Sequence, residues 1–185
     1  MLESGGTAAV QLPEVARAAR VSLRTVYQNF GSREGLILAA VEAWMESHVY
    51  QPLVKPAPEE PLADALVRHY RHIFEPWEKS PKMAEAFMRA RLGPGGDRLL
   101  RQGAAVSEPV TRSLFKDVDP DYAEEVLVIL DHVVDAAALR FAQGQRSVTE
   151  IMPTVERVVR FLTGDVPRRR PANGKNGRRR RIPRS

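Results

Sequence analysis

The 185-residue chain contains no cysteine, which removes any disulfide framework and any thiolate metal site. Long apolar runs are missing too: nothing approaches the roughly 18 uninterrupted apolar residues of a membrane span. The start, MLESGGTAAV, has neither a basic segment nor an apolar core, so no secretory signal is expected and the chain reads as cytoplasmic. Runs of alternating apolar and polar residues bounded by turns are absent, which argues against a sheet. The fold class expected is therefore all-α, in one or two domains.

The net charge of +5 is unevenly placed. Residues 168–185, RRRPANGKNGRRRRIPRS, hold eight Arg, one Lys and no acid; the other 19 basic residues face 23 acidic ones, leaving −4 on residues 1–167. Pro, Gly, Asn and Arg cannot build a core, so residues 167–185 are expected to form a disordered basic tail. Such a tail would add salt-sensitive, sequence-independent attraction to phosphates, or serve only as a solvated terminus.

What is present is helical patterning cut by Pro and Gly. Gly31-Ser32 opens a helix to about Tyr50, with Leu36, Ile37, Ala40, Val41, Trp44 and Met45 on one face. The four prolines between Gln51 and Pro61 mark a loop and a boundary between regions. A helix from Leu62 is expected to end at Pro76, and Ser80-Pro81 to start another that Gly93-Pro94-Gly95-Gly96 stops. Asp97 is expected to cap the next, which Gly103 and Pro109 weaken and are expected to break or kink. Asp119-Pro120 then opens a long apolar-faced helix to Gln143, and Ser147 to Glu150 match a capping box ahead of a last apolar stripe interrupted early by Pro153.

The segment Val10 to Leu36 carries the functional signal. Two short helical patterns meet at Ala19-Arg20-Val21, and Ser22 offers a capping hydroxyl where the second begins. This reads as a helix-turn-helix. Val21, Val26 and Phe30 give the second helix an apolar side, while Ser22, Arg24, Thr25, Gln28 and Asn29 give it a polar side for base edges and phosphates.

The run from Val15-Ala16 through Ala19-Arg20-Val21-Ser22, Thr25-Val26-Tyr27, Phe30 and Ser32-Arg33-Glu34-Gly35-Leu36 resembles the DNA-binding signature of TetR-family transcriptional regulators. The resemblance extends over about residues 6–165, but only its first part is specific. It implies a DNA-binding head in residues 1–50 and a helical ligand-binding and dimerisation domain in residues 51–166. It also implies a ligand-responsive repressor, associated with the bacterial nucleoid, that binds a palindromic double-stranded operator as a homodimer. Ser22, Leu23, Arg24, Thr25, Gln28 and Asn29 would face the major groove or its walls, and Tyr27 and Arg33 the phosphates. The dimer would form through helices 121–143 and 148–163.

Two departures stand out. Arg20 occupies a turn position where the family usually has glycine, at a cost of about 1 kcal/mol in a left-handed backbone. Only MLESG precedes Gly6, where the family has a full first helix; its loss is expected to expose Val15, Val26 and Phe30. An upstream start codon, or a ligand-binding dimer with a weakened head that holds nucleic acid only through the tail, are the two explanations.

The same resemblance implies an effector pocket, expected from Leu66, His69, Tyr70, Phe74, Phe87, Met88, Arg91 and Leu130. A mostly apolar lining with Arg89, Arg91 or His69 nearby would suit a lipid-like or acyl-CoA-like effector, though each residue also fits plain core. No cofactor is expected, and no enzymatic activity: a nucleophile elbow, a phosphate loop and paired Glu-x-x-His motifs are all missing. His69 and His72 have helical spacing for a shared metal, with Glu75 on the same face, but a polar helix face explains them better.

Overall fold

The computed structural model describes residues 1–51 and 60–164. Among these it is all-α: α1 Leu2–Gly5, a 3-10 turn Thr7–Ala9, α2 Leu12–Ala18, α3 Leu23–Phe30, α4 Arg33–His48, α5 Leu62–Lys79, α6 Pro81–Arg91, α7 Asp97–Leu114, α8 Pro120–Ala142, a second 3-10 turn Val148–Glu150 and α9 Ile151–Leu162. None of these helices is long and apolar enough to cross a membrane. The basic tail expected at 167–185, and most of the proline-rich loop, lie outside the described residues.

Starts follow local chemistry. Ser22 and Ser32 cap α3 and α4 by accepting from the Thr25 and Gly35 amides, each at 3.0 Å. Asp119 accepts from the Asp121 and Tyr122 amides, and the Ser147–Glu150 capping box forms at both ends. Pro153 causes no break, because the chain takes a 3-10 turn first and leaves Pro153 in the first turn of α9, where its missing N–H has no helical partner to lose.

Three expectations fail. Pro76 does not end α5, which continues to Lys79; the proline ring removes one internal hydrogen bond, and burial of Phe74 and Trp77 holds the helix across it. Asp97 is not a cap: Gly96 precedes α7, and Asp97 is its first helical residue, paired to Arg101. Gly103 and Pro109 both sit inside an unbroken α7.

One core joins the parts. From α4 it takes Leu36, Ile37, Leu38, Val41 and Met45; α5 adds Leu66, Tyr70 and Phe74. Met83 and Phe87 of α6, Val126 and Leu130 of α8, and Val155 and Val159 of α9 complete it. Burying an aliphatic side chain of this size contributes about 1.5–3 kcal/mol. Ion pairs from α9 to α5, Arg71 to Glu156 and Arg160 to Asp64, both at 3.1 Å, and the Tyr122 hydroxyl donating to the Leu162 carbonyl finish the seams.

The head is held better than its short start implied. Val26 is 4% exposed and Val15 only half-buried, so the expected exposure of that face holds for Phe30 alone. The single turn of α1 supports the head: Glu3 accepts from the Trp44 indole at 2.9 Å, and the 3-10 turn leads Val10 into the core.

Candidate nucleic-acid interface and effector cavity

The turn between α2 and α3 is a Schellman closure. The Val21 amide donates to the Ala16 carbonyl at 3.0 Å and the Arg20 amide to the Arg17 carbonyl at 3.2 Å. Arg20 therefore has a φ of 57°, the only left-handed residue other than glycine among the described residues. The strain anticipated at this departure is present, and the turn keeps its usual shape in spite of it.

That turn aims α3 outward. Val26 points into the core, while Leu23, Arg24, Tyr27, Gln28, Asn29 and Phe30 are exposed and Thr25 half-buried. Ser22 and Thr25 share a hydroxyl contact of 2.8 Å, and the Asn29 amide donates to the Thr25 carbonyl at 2.8 Å. Arg24, Tyr27 and Gln28 have no partner among the described residues, so the donors that suit base edges and phosphates are free. Gly31, with φ of 71°, closes the helix.

Arg33 is placed differently. Its Nε donates to the Val10 carbonyl at 2.8 Å and its Nη2 to the Thr7 carbonyl, while Nη1 lies 3.7 Å from Glu34. The guanidinium thus ties the start of α4 to the segment ahead of α2.

Behind the head, a cavity of about 470 Å³ lies between α5, α6, α7 and α8. Five of the expected pocket residues line it: His69, Tyr70, Phe74, Phe87 and Arg91. Leu66, Met88 and Leu130 lie instead in the core, at 0%, 3% and 0% exposure. Arg89 is turned away and donates to the Thr7 hydroxyl at 3.3 Å. Lining residues not foreseen include Tyr50, Glu108, Asp131 and Asp135. Asp131 and Asp135 had a signal: two acids four apart interrupting an apolar helix.

The cavity's electrostatics are set by burial. His69 is 3% exposed, and desolvation, aided by His72 and Arg68, lowers its pKa to about 4. Its ring is neutral at pH 7, and Nδ1 has no partner among the described residues. Burial raises the Tyr50 hydroxyl to about 12 and pushes the Tyr70 hydroxyl upward as well. The metal arrangement weighed for the neighbouring histidine does not assemble: His72 meets the Gln51 carbonyl at 3.1 Å, and Glu75 binds Lys79 at 2.7 Å.

Residues 1–40 match the family described as bacterial regulatory proteins, tetR family, and residues 60–162 the tetracyclin repressor-like C-terminal domain. No curated protein matches the chain. Among solved structures, a TetR transcriptional regulator from Rhodococcus sp. RHA1 has a similar fold, with a TM-score of 0.61 at 18% identity over 87% of each chain. With a helix-turn-helix that presents free donors, and both halves matched over most of their length, the chain belongs to the tetR family and is a DNA-binding, ligand-responsive transcriptional regulator.

Proposed function

We propose that the protein is a cytoplasmic repressor that holds a palindromic operator as a homodimer on the nucleoid and releases it when a small, largely apolar effector enters the cavity. The observation that carries this reading is α3, capped by Ser22, anchored by Val26 and presenting Arg24, Tyr27 and Gln28 without partners among the described residues. Ser22, Leu23, Arg24, Thr25, Gln28 and Asn29 would meet the major groove or its walls, with Tyr27 and the exposed part of Arg33 on phosphates. No catalytic role is proposed.

The route from cavity to head is supported by two helices. Tyr50, just past the end of α4, lines the cavity, and α4 begins at Arg33 in the head. On α6, Phe87 lines the cavity, and Arg89 two residues on bonds to Thr7. An effector that prefers one arrangement of α4 and α6 would shift the spacing of the two heads in the dimer.

Binding of the full chain to DNA from upstream of its own gene, followed across a salt series, tests this. Arg24→Ala is expected to weaken binding by about 1–3 kcal/mol and to relax sequence preference. Removal of residues 168–185 is expected to lower mainly the salt dependence. If the tail deletion costs more than Arg24→Ala, the chain holds nucleic acid non-specifically and the operator reading falls.

A further inference from the structure

We propose that the cavity between α5, α6, α7 and α8 takes a cationic aromatic molecule, an organic ammonium or iminium compound whose ring lies against Tyr70, Phe74 and Phe87 and whose charge faces Asp131 and Asp135. This sharpens the effector class and rests on the reading of the cavity as the effector site. The volume, about 470 Å³, is that of a site for a drug-sized molecule.

Three aromatic rings, Tyr70, Phe74 and Phe87, line the cavity, and Trp77 packs behind them in the core. Tyr70 and Phe74 stack with centroids 6.5 Å apart, Phe74 meets Trp77 edge-on at 5.4 Å, and Trp77 meets Phe87 at 4.9 Å. Faces of such rings attract cations.

Charge decides the sign of the ligand. Among the described residues the lining carries Glu108, Asp131 and Asp135 against one cation, Arg91. Arg91 is already committed to Asp135 at 2.9 Å, and Glu108 to Arg112. Asp131 is exposed and has no ion-pair partner among the described residues; lost hydration against the cavity wall and the neighbouring Asp135 raise its carboxyl above the usual range. A bound cation would relieve that unfavourable charge. The phosphates of an acyl-CoA would instead meet Asp131, the lining carboxylate with no ion-pair partner among the described residues.

His69 provides an independent pointer. It lines the cavity, is 3% exposed, and leaves Nδ1 without a hydrogen-bond partner among the described residues, a cost that a ligand's polar group would remove. Because burial keeps this imidazole neutral at pH 7, it does not repel a cation.

The test uses the full chain without DNA, titrated with ethidium by fluorescence anisotropy, and with fluorescein and decanoyl-CoA as anionic comparisons. Ethidium is expected to bind saturably, fluorescein and decanoyl-CoA at least tenfold more weakly, and Asp131→Asn to lose at least tenfold for ethidium with no loss of thermal stability. Tighter binding of either anion, or unchanged ethidium binding in Asp131→Asn, overturns the proposal. The regulatory reading is scored separately, by operator binding of the same preparation without ligand: its failure leaves the cation site standing, and ethidium's failure leaves operator binding standing.

Discussion

Arg33 and Val10 are joined by a hydrogen bond of 2.8 Å from Nε to the carbonyl, and the same guanidinium reaches the Thr7 carbonyl. An arginine at the start of α4 therefore braces the segment that leads into α2. Arg33→Ala is expected to destabilise the chain by about 1.5 kcal/mol, the low end for bonds from a charged donor, because its side chain keeps 35% exposure. Tyr27→Phe, by contrast, removes a hydroxyl with no partner among the described residues and is expected to leave stability unchanged while weakening DNA binding. Urea unfolding and DNA titration of both variants separate bracing from phosphate contact; equal stability of the two would contradict the bracing role.

Arg20 offers a second measurement. At φ 57° any residue with a Cβ is strained, so Arg20→Gly is expected to be more stable than Arg20→Ala by about 1 kcal/mol. The comparison of the two variants in denaturant removes the contribution of the lost charge. A glycine variant no more stable than the alanine one would mean that the turn relaxes out of the left-handed region.

His69 predicts a pH dependence. Its folded pKa, about 4, lies below the unfolded value of about 6.5, so unfolding takes up a proton between those limits. Stability from this residue is complete above about pH 6.5 and is lost as pH falls toward 4, at up to about 1.4 kcal/mol per pH unit. His69→Gln is expected to flatten the profile in that window and leave it unaltered above pH 7. Parallel profiles for the two proteins would refute a buried, neutral imidazole.

The dimer reading makes its own prediction. Val128, Ile129 and Leu139 of α8 and Phe161 of α9 are exposed, Phe161 at 86%. Val128 and Leu139 are eleven residues apart, three helical turns, and so share one side of α8. Ile129→Asp with Phe161→Ser is expected to convert a dimer to a monomer in light scattering after gel filtration, and to abolish cooperative operator binding. A dimer that survives both changes places its interface elsewhere.

Apart from the start of α7, where Gly96 rather than Asp97 precedes the helix, the caps and helix starts are legible from residue order because their causes are local. A hydroxyl at Ser22 or Ser32 satisfies an amide three residues on, and the proline at 120 follows a capping Asp119, whatever the rest of the chain does. Pro76 was misjudged for the opposite reason, since burial of Phe74 and Trp77 outweighs one lost hydrogen bond, and burial is a property of neighbours from other helices. The cavity shows the same limit: Leu66 and Tyr70 are both apolar-faced residues of α5, and only the approach of α7 and α8 puts one in solid core and the other on an open wall.

The DNA-reading segment, the all-helical class and the identity of the exposed donors on α3 thus follow from periodicity and side-chain chemistry over a few turns. Where Arg33 spends its hydrogen bonds, which aromatics line a space rather than fill one, and the acidic character of that space required the assembled bundle. Each depends on residues far apart in sequence, such as Thr7 with Arg89 or Arg91 with Asp135, being brought within bonding distance by the shared core.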